Sequence, residues 1–237
     1  MKTQAILFDL DGTLLPMDQD LFIKAYIGGL VKAAMPADYD PKTLADAIQA
    51  GTYKMVKNTG ERTNEQVFWD YMSEVYGKSV IGDLALFDRF YLTDFQNIRG
   101  LCGVAPRARE LFDLIKSNGL RTALATNPLF PSIATESRIR WAGLTPEDFE
   151  FFTSYENSHY SKPNPKYYLE VTEKMRLAPE ECLMVGNDVG DDMIAATLGM
   201  KVFLLTDCLI NQTGKDISEY PRGNFDELFA FIENLEI

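Results

Sequence analysis

Asp9 and Asp11 stand two residues apart at the end of a short uncharged run, Ala5-Ile6-Leu7-Phe8. Such a run reads as a strand buried on both faces, the kind found in parallel sheets. In an extended chain residues i and i+2 point to the same side. Two carboxylates side by side at the carboxyl end of a buried strand repel each other and are costly to desolvate. Open α/β sheets bind their ligands at that end. Gly12 permits a sharp exit, and Thr13 adds a hydroxyl and backbone donors. Asp-Gly is also a common turn dipeptide, but a plain turn has no need of two carboxylates against an apolar strand. The arrangement calls for a cation and a reaction.

Three later stretches have the same character. Thr122-Ala123-Leu124-Ala125 reads as a strand and ends on Thr126-Asn127-Pro128; a hydroxyl followed by backbone donors suits a phosphoryl oxygen, though Thr also caps helices. Ser161-Lys162-Pro163 places a Lys in a loop restrained by Pro163 and Pro165. A cation held there would offset the carboxylates and the charge developing on a transferring group. Val185-Gly186-Asn187-Asp188-Val189-Gly190-Asp191-Asp192-Met193 crowds Asp188, Asp191 and Asp192 into one loop after an apolar strand. One Asp is explained by a helix start; three hard-oxygen donors at this density suit Mg²⁺.

The elements that must position these residues alternate. Helices are expected over 105–117, 132–142, 165–175, 191–198 and 225–235. Strands are expected at 121–125, 149–152, 182–185 and 202–205. Strands spaced by helices make βαβ units and a parallel sheet. Between the first strand and this pattern lies a stretch with no convincing buried strand, only helix-like periodicity: 20–34 (halted by Pro36), 41–57 (Pro41 suited to a first turn), 64–76 (Asn64 as N-cap, Gly77 as stop) and 81–95. The expected organisation is a Rossmann-like α/β core of 1–15 plus 98–237, with an all-helical cap inserted over 16–97. Leu15-Pro16-Met17 and 97–100 are its expected hinges.

Asp9-Leu10-Asp11-Gly12-Thr13 resembles the first signature of the haloacid dehalogenase superfamily, whose members are mostly Mg²⁺-dependent phosphohydrolases. Thr126, the Lys162 loop, and Asp188 with Asp192 resemble its other three signatures, in order and each after its own strand. The chain is identified as a member on these four matches. They cover the core; the inserted module matches only in place and helical character.

The resemblance implies that Asp9 is a nucleophile forming an aspartyl-phosphate, and that Asp11 protonates the leaving alkoxide and then takes a proton from water. Asp9 beside it is expected to raise the Asp11 pKa. Mg²⁺ would be held by Asp9, the backbone carbonyl of Asp11, and Asp188. Thr126, Asn127 and Lys162 would bind phosphoryl oxygens, and Asp192 would orient Lys162. Asp191 is left between the metal and the helix start. Dehalogenating members lack the second Asp of the first signature, so Asp11 points to phosphoryl transfer. The expected activity is a phosphatase for a small phosphorylated metabolite. A phosphomutase with the same signatures is the alternative, and a non-catalytic binding protein retaining the fold is the reading from another class.

Composition narrows the partners. The net charge is −12, from 23 basic and 35 acidic residues with no basic cluster, which argues against a nucleic-acid polymer or an anionic membrane. No run approaches the roughly 18–20 apolar residues of a membrane span, and the N-terminus leads directly into the strand without signal-peptide features. Cys102, Cys182 and Cys208 are odd in number and widely spaced, so a reducing cytoplasm is expected, with Cys182 a small core residue. Lys54, Lys57 and Arg62 read as a solvated loop. His159 reads as structural or idle, and Phe68, Trp69, Tyr71 and Tyr76 as cap core. The oligomeric state is not legible.

Overall fold

The computed structural model describes residues 2–235. Five parallel strands, β1 (Ala5–Phe8), β2 (Arg121–Leu124), β3 (Cys182–Gly186), β4 (Lys201–Leu205) and β5 (Arg222–Gly223), lie in the order β2-β1-β3-β4-β5. The strand that leads into Asp9 is therefore an interior one, with β2 and β3 hydrogen-bonded on either side. All four residues of β1 are fully buried, as an apolar run flanked by strands and covered on both faces must be.

Alternation along the strands divides the core in two. Ile6, Phe8, Leu183, Val185 and Phe203 face α5 (Ala108–Ser117) and α8 (Phe225–Glu233) through Leu111, Phe112, Leu228 and Ile232. Leu7, Ala123, Met184 and Leu204 face α7 (Pro165–Met175) through Tyr167, Tyr168 and Val171. Helices on both faces of a parallel sheet make the expected Rossmann-like α/β core.

Two elements depart from the sequence expectations. Residues 149–152 form no strand of the sheet. They run beside β2, with Glu150 N–H donating to Thr122 O, Leu124 N–H to Phe151 O and Thr153 N–H to Leu124 O, and they share a single bridge, Leu124 with Phe152. They follow directly on a 3₁₀ turn at Pro146–Asp148. The fifth strand is instead the short edge pair Arg222–Gly223, which has no apolar run to announce it. The expected helix over 191–198 is a 3₁₀ segment, Met193–Leu198.

Between β1 and β2 lie α1 (Gln19–Ala34), α2 (Pro41–Val56), α3 (Asn64–Tyr76) and α4 (Leu84–Leu92), with 3₁₀ segments at Lys78–Asp83 and Asp94–Leu101. These form the inserted all-helical cap. Asp40 caps α2 through Thr43 N–H, and Pro41 fills its first turn. Asn64 does not cap α3. Thr63 does, in a reciprocal capping box with Gln66. The stretch near 97–100 lies within the Asp94–Leu101 segment, whose Phe95 packs on Phe22 and stacks on Trp141 at 5.0 Å. The two connections between cap and core meet beyond it: Gly103 N–H donates to Pro16 O at 2.7 Å, and Met17 bridges Cys102.

Candidate active site

Every chemically competent stretch of the sequence ends at one cleft of about 140 Å³ over the carboxyl ends of β1, β2 and β3. Its walls include Asp9, Asp11, Thr126, Asn127, Lys162, Asp188, Asp191 and Asp192. The convergence follows from parallel topology. Each strand presents its outgoing loop on the same edge, and β1 lies between the two strands whose loops it needs.

Lys162 is the pivot. Its ammonium is buried (side chain 1% exposed) and donates to Asp9 Oδ1 at 2.8 Å and Asp192 Oδ1 at 2.6 Å. Burial alone would lower the Lys162 pKa, but Asp192 and Asp9 outweigh it and lift it well above its ordinary value. The lysine is a fixed cation. Asp192 has its other oxygen on Asp188 N–H at 2.9 Å, so it ties the loop after β3 to the lysine. Gly186 makes that approach possible: a Cβ there would lie 2.1 Å from Asp192 Oδ2.

Asp9 Oδ2 is 3.2 Å from the Thr13 hydroxyl, which also meets Asn187 Oδ1 at 2.9 Å. Asn187 donates in turn to Cys208 O, anchoring the turn after β1 to the loop after β3. Gly12 has φ +86°, and a Cβ would strike the Asn187 amide at 2.4 Å; the position demands glycine on both counts.

Asp11 is held by a residue that sequence reasoning missed. Arg138, on α6 (Ser132–Trp141), is wholly buried and forms an ion pair with Asp11 Oδ2. Its guanidinium lies 4.3 Å from the Phe130 ring centroid and also reaches Thr135 Oγ1. The second carboxylate oxygen, Oδ1, is buried with no hydrogen-bond partner among the described residues. Burial raises the Asp11 pKa and Arg138 pulls it back, while the neighbouring Asp9 adds to the rise. The local sequence, Ser-Arg-Ile-Arg-Trp, carries no sign that one of two arginines turns inward.

The Thr126 carbonyl accepts from the Thr153 hydroxyl at 2.6 Å and the Tyr167 hydroxyl at 2.8 Å. This fixes the turn after β2, a second support not visible in sequence. Asn127 Nδ2 donates to Asp191 Oδ2 at 3.3 Å, and Asn127 Oδ1 is buried without a partner among the described residues. Asp191 therefore faces the cleft; burial pushes its carboxyl up to about 6. His159 lies away from the cleft, its Nδ1 2.9 Å from Glu170 Oε1. Arg62 pairs with Asp70 on the cap surface, and neither it nor Lys54 nor Lys57 lines the cleft.

The donor set fits a hard divalent cation. Asp188 Oδ1 is occupied by the N–H groups of Gly190 and Asp191 at 2.7 and 2.9 Å, which leaves Oδ2 as its free donor; Asp9 and Asp11 line the same cleft, and the Asp11 backbone carbonyl accepts from Gln19 Nε2 at 3.1 Å with its second lone pair to spare. Among the described residues no three His, Cys, Asp or Glu side chains stand closely enough to hold an ion unaided. Two carboxylates and a carbonyl would thus be completed by water and ligand oxygens, as Mg²⁺ prefers. Five carboxylates line the cleft, and among the described residues the cations paired with them are Lys162 and Arg138, so a phosphate dianion needs further positive charge to enter.

Comparison with known proteins agrees with this geometry. A phosphoglycolate phosphatase of Nitrosospira multiformis is 28% identical over 206 residues, covering 86% of this chain and 83% of that protein. A glyceraldehyde 3-phosphate phosphatase of Methanothermobacter thermautotrophicus is 25% identical, covering 85% of each. In fold, the chain is similar to the crystal structure of a HAD phosphatase from Thermococcus onnurineus, with TM-score 0.61 and 16% identity over 99% of this chain and all of that one. Residues 3–199 match the family described as haloacid dehalogenase-like hydrolase. With the match running from β1 through the loop that holds Asp188 and Asp192, the chain belongs to the haloacid dehalogenase-like hydrolases and is an enzyme of that family.

Proposed function

We propose that this enzyme is a Mg²⁺-dependent phosphohydrolase that cleaves a small phosphomonoester through an aspartyl-phosphate at Asp9. The observation that carries the reading is the buried Asp9–Lys162–Asp192 chain of ion pairs at the cleft. It holds one carboxylate in a single orientation, aimed at the space where a phosphoryl group would sit.

In this mechanism Lys162, the Thr126 hydroxyl and the backbone N–H of Asn127 bind the phosphoryl oxygens. Asp9, Asp188 and the Asp11 carbonyl would hold a Mg²⁺ ion, which when bound would supply charge against the phosphate dianion. Asp9 attacks phosphorus, and the bond to the leaving oxygen breaks as that oxygen takes a proton from Asp11. Asp11, now a carboxylate, accepts a proton from water as the water oxygen attacks phosphorus. Asp9 and inorganic phosphate are released. Asp192 keeps Lys162 on its target. The cap pivots at the crossing of Pro16–Met17 with Cys102–Gly103 to admit substrate and exclude bulk water.

The test is release of phosphate from para-nitrophenyl phosphate with Mg²⁺ and with chelator, on the natural chain and on Asp9→Asn. Activity should require Mg²⁺, and the variant should lose several orders of magnitude in turnover. Hydrolysis by Asp9→Asn near the natural rate would overturn the nucleophile assignment.

A further inference from the structure

A second cavity, of about 210 Å³, lies inside the cap between α1, α2, α3 and α4, with Leu129, Phe130, Pro131 and Tyr155 of the core as its floor. Ile23, Leu129 and Phe130 line both this cavity and the catalytic cleft. The two spaces are adjoining compartments, and a molecule whose phosphate sits at Asp9 has this cavity as the neighbouring space for its other end.

The chemistry of the two compartments is opposite. The cap cavity is walled by side chains such as Ile27, Phe68, Trp69 and Met72. Its polar groups largely satisfy one another: the Tyr26 and Tyr91 hydroxyls are 2.9 Å apart, and Trp69 Nε1 donates to the Tyr155 hydroxyl at 3.4 Å. The charged residue on its wall is Asp88, which is acidic. Among the described residues no Lys, Arg or His lines it, and in the catalytic cleft the lining cation is Lys162, already committed to two carboxylates. Two nearby cap cations are engaged elsewhere, Lys54 over the Tyr71 ring and Arg62 on Asp70.

We infer that the substrate's leaving group is an uncharged apolar body, one aromatic ring or an alkyl chain of about six carbons, seated in this cap cavity. The inference rests on the phosphohydrolase reading above and names its substrate class. A leaving group bearing a carboxylate or a second phosphate would place an unpaired anion among five carboxylates and apolar walls, where desolvation is not repaid. Size agrees, since an apolar cavity of about 150 Å³ takes up benzene. The sequence reads Phe68 and Trp69 as cap core; they do pack within the bundle, 5.2 Å apart, and their remaining faces wall the cavity.

The experiment is a kcat/KM series, with Mg²⁺, over the n-alkyl phosphates from ethyl to hexyl, together with benzyl phosphate and 2-phosphoglycolate. The alkyl members have nearly equal leaving-group basicity, so their differences report binding. The expected rise is about fourfold per methylene, with benzyl phosphate far above ethyl phosphate and 2-phosphoglycolate at the bottom. Ile27→Trp, which fills the cavity, should collapse the hexyl-to-ethyl ratio toward one; Thr52→Trp on another wall serves the same purpose if the first variant does not fold. Hydrolysis with a flat series, a lead for 2-phosphoglycolate, or a ratio unchanged in the filled variants overturns this inference and leaves the phosphohydrolase reading standing. No hydrolysis of any member overturns both.

Discussion

At the scale of single residues the site is a set of carboxylates kept apart by cations and close-packed glycines. Arg138 is the residue whose removal should be most informative. Arg138→Met leaves the partly buried Asp11 without a counter-charge, so we expect a stability loss of about 3 kcal/mol in urea titration. We also expect at least a tenfold drop in kcat with KM little changed, because Asp11 loses its orientation rather than its existence. Arg138→Lys keeps the charge without the guanidinium fork and should recover part of the rate. An unchanged kcat in the Met variant would show that the ion pair does not position Asp11. Gly186→Ala tests the opposite constraint: with its Cβ 2.1 Å from Asp192 Oδ2, the loop must shift. Activity should fall by at least a hundredfold, with a stability cost of roughly 1–3 kcal/mol. Normal activity in that variant would mean that Asp192 tolerates displacement from Lys162.

At the scale of elements the scaffold depends on ties between neighbours. Arg109 on α5 grips Asp148 with two hydrogen bonds, at 2.6 and 2.7 Å, and Asp148 also caps its own turn through Thr145 N–H. The Arg109 guanidinium holds the Asp148 carboxyl below the ordinary carboxylate range. The stabilisation is therefore fully present above the unfolded-state pKa of about 3.9 and is lost as pH falls through the lower folded-state value. Asp148→Asn should cost about 1 kcal/mol near neutral pH, and the difference should vanish toward about pH 2. Unfolding in urea at both pH values checks this; a pH-independent difference would mean that the charge is not what matters. Asn64 makes a tie of another kind. It is fully buried, and its amide donates to Pro128 O and Ser161 Oγ while its backbone N–H donates to Ser158 O. The first residue of a cap helix is thus clamped to the two core loops that carry Thr126 and Lys162.

At the scale of the whole molecule, part of the acidic surplus gathers where the strands end. A chain of net charge −12 with five carboxylates around one cleft should be stabilised by whatever brings positive charge there. Mg²⁺ with beryllium fluoride, a mimic of an aspartyl-phosphate, should raise Tm by roughly 5–10 °C at about a hundred times the dissociation constant. Chelator should remove the effect, and Asp188→Asn should abolish it. A thermal shift that survives the Asp188 substitution would place the cation elsewhere.

The sequence by itself determined the α/β core, the inserted helical module and the carboxylates, threonine and lysine that converge at the cleft. Those signals are local: a buried strand must be an uncharged run, a helix must repeat near 3.6 residues, and a carboxylate in a tight loop needs glycine beside it. Only the tertiary structure decided the rest. The pairing of Arg138 with Asp11 joins residues 127 positions apart, and Asn64 looked like a cap because its partners lie far away in the chain. The two-residue β5 has no pattern to read, and residues 149–152, apolar enough for a strand, make a single bridge with β2. The cap cavity is likewise a property of four helices at once. Their apolar periodicity says which faces turn inward, but the space left between those faces depends on how the side chains meet.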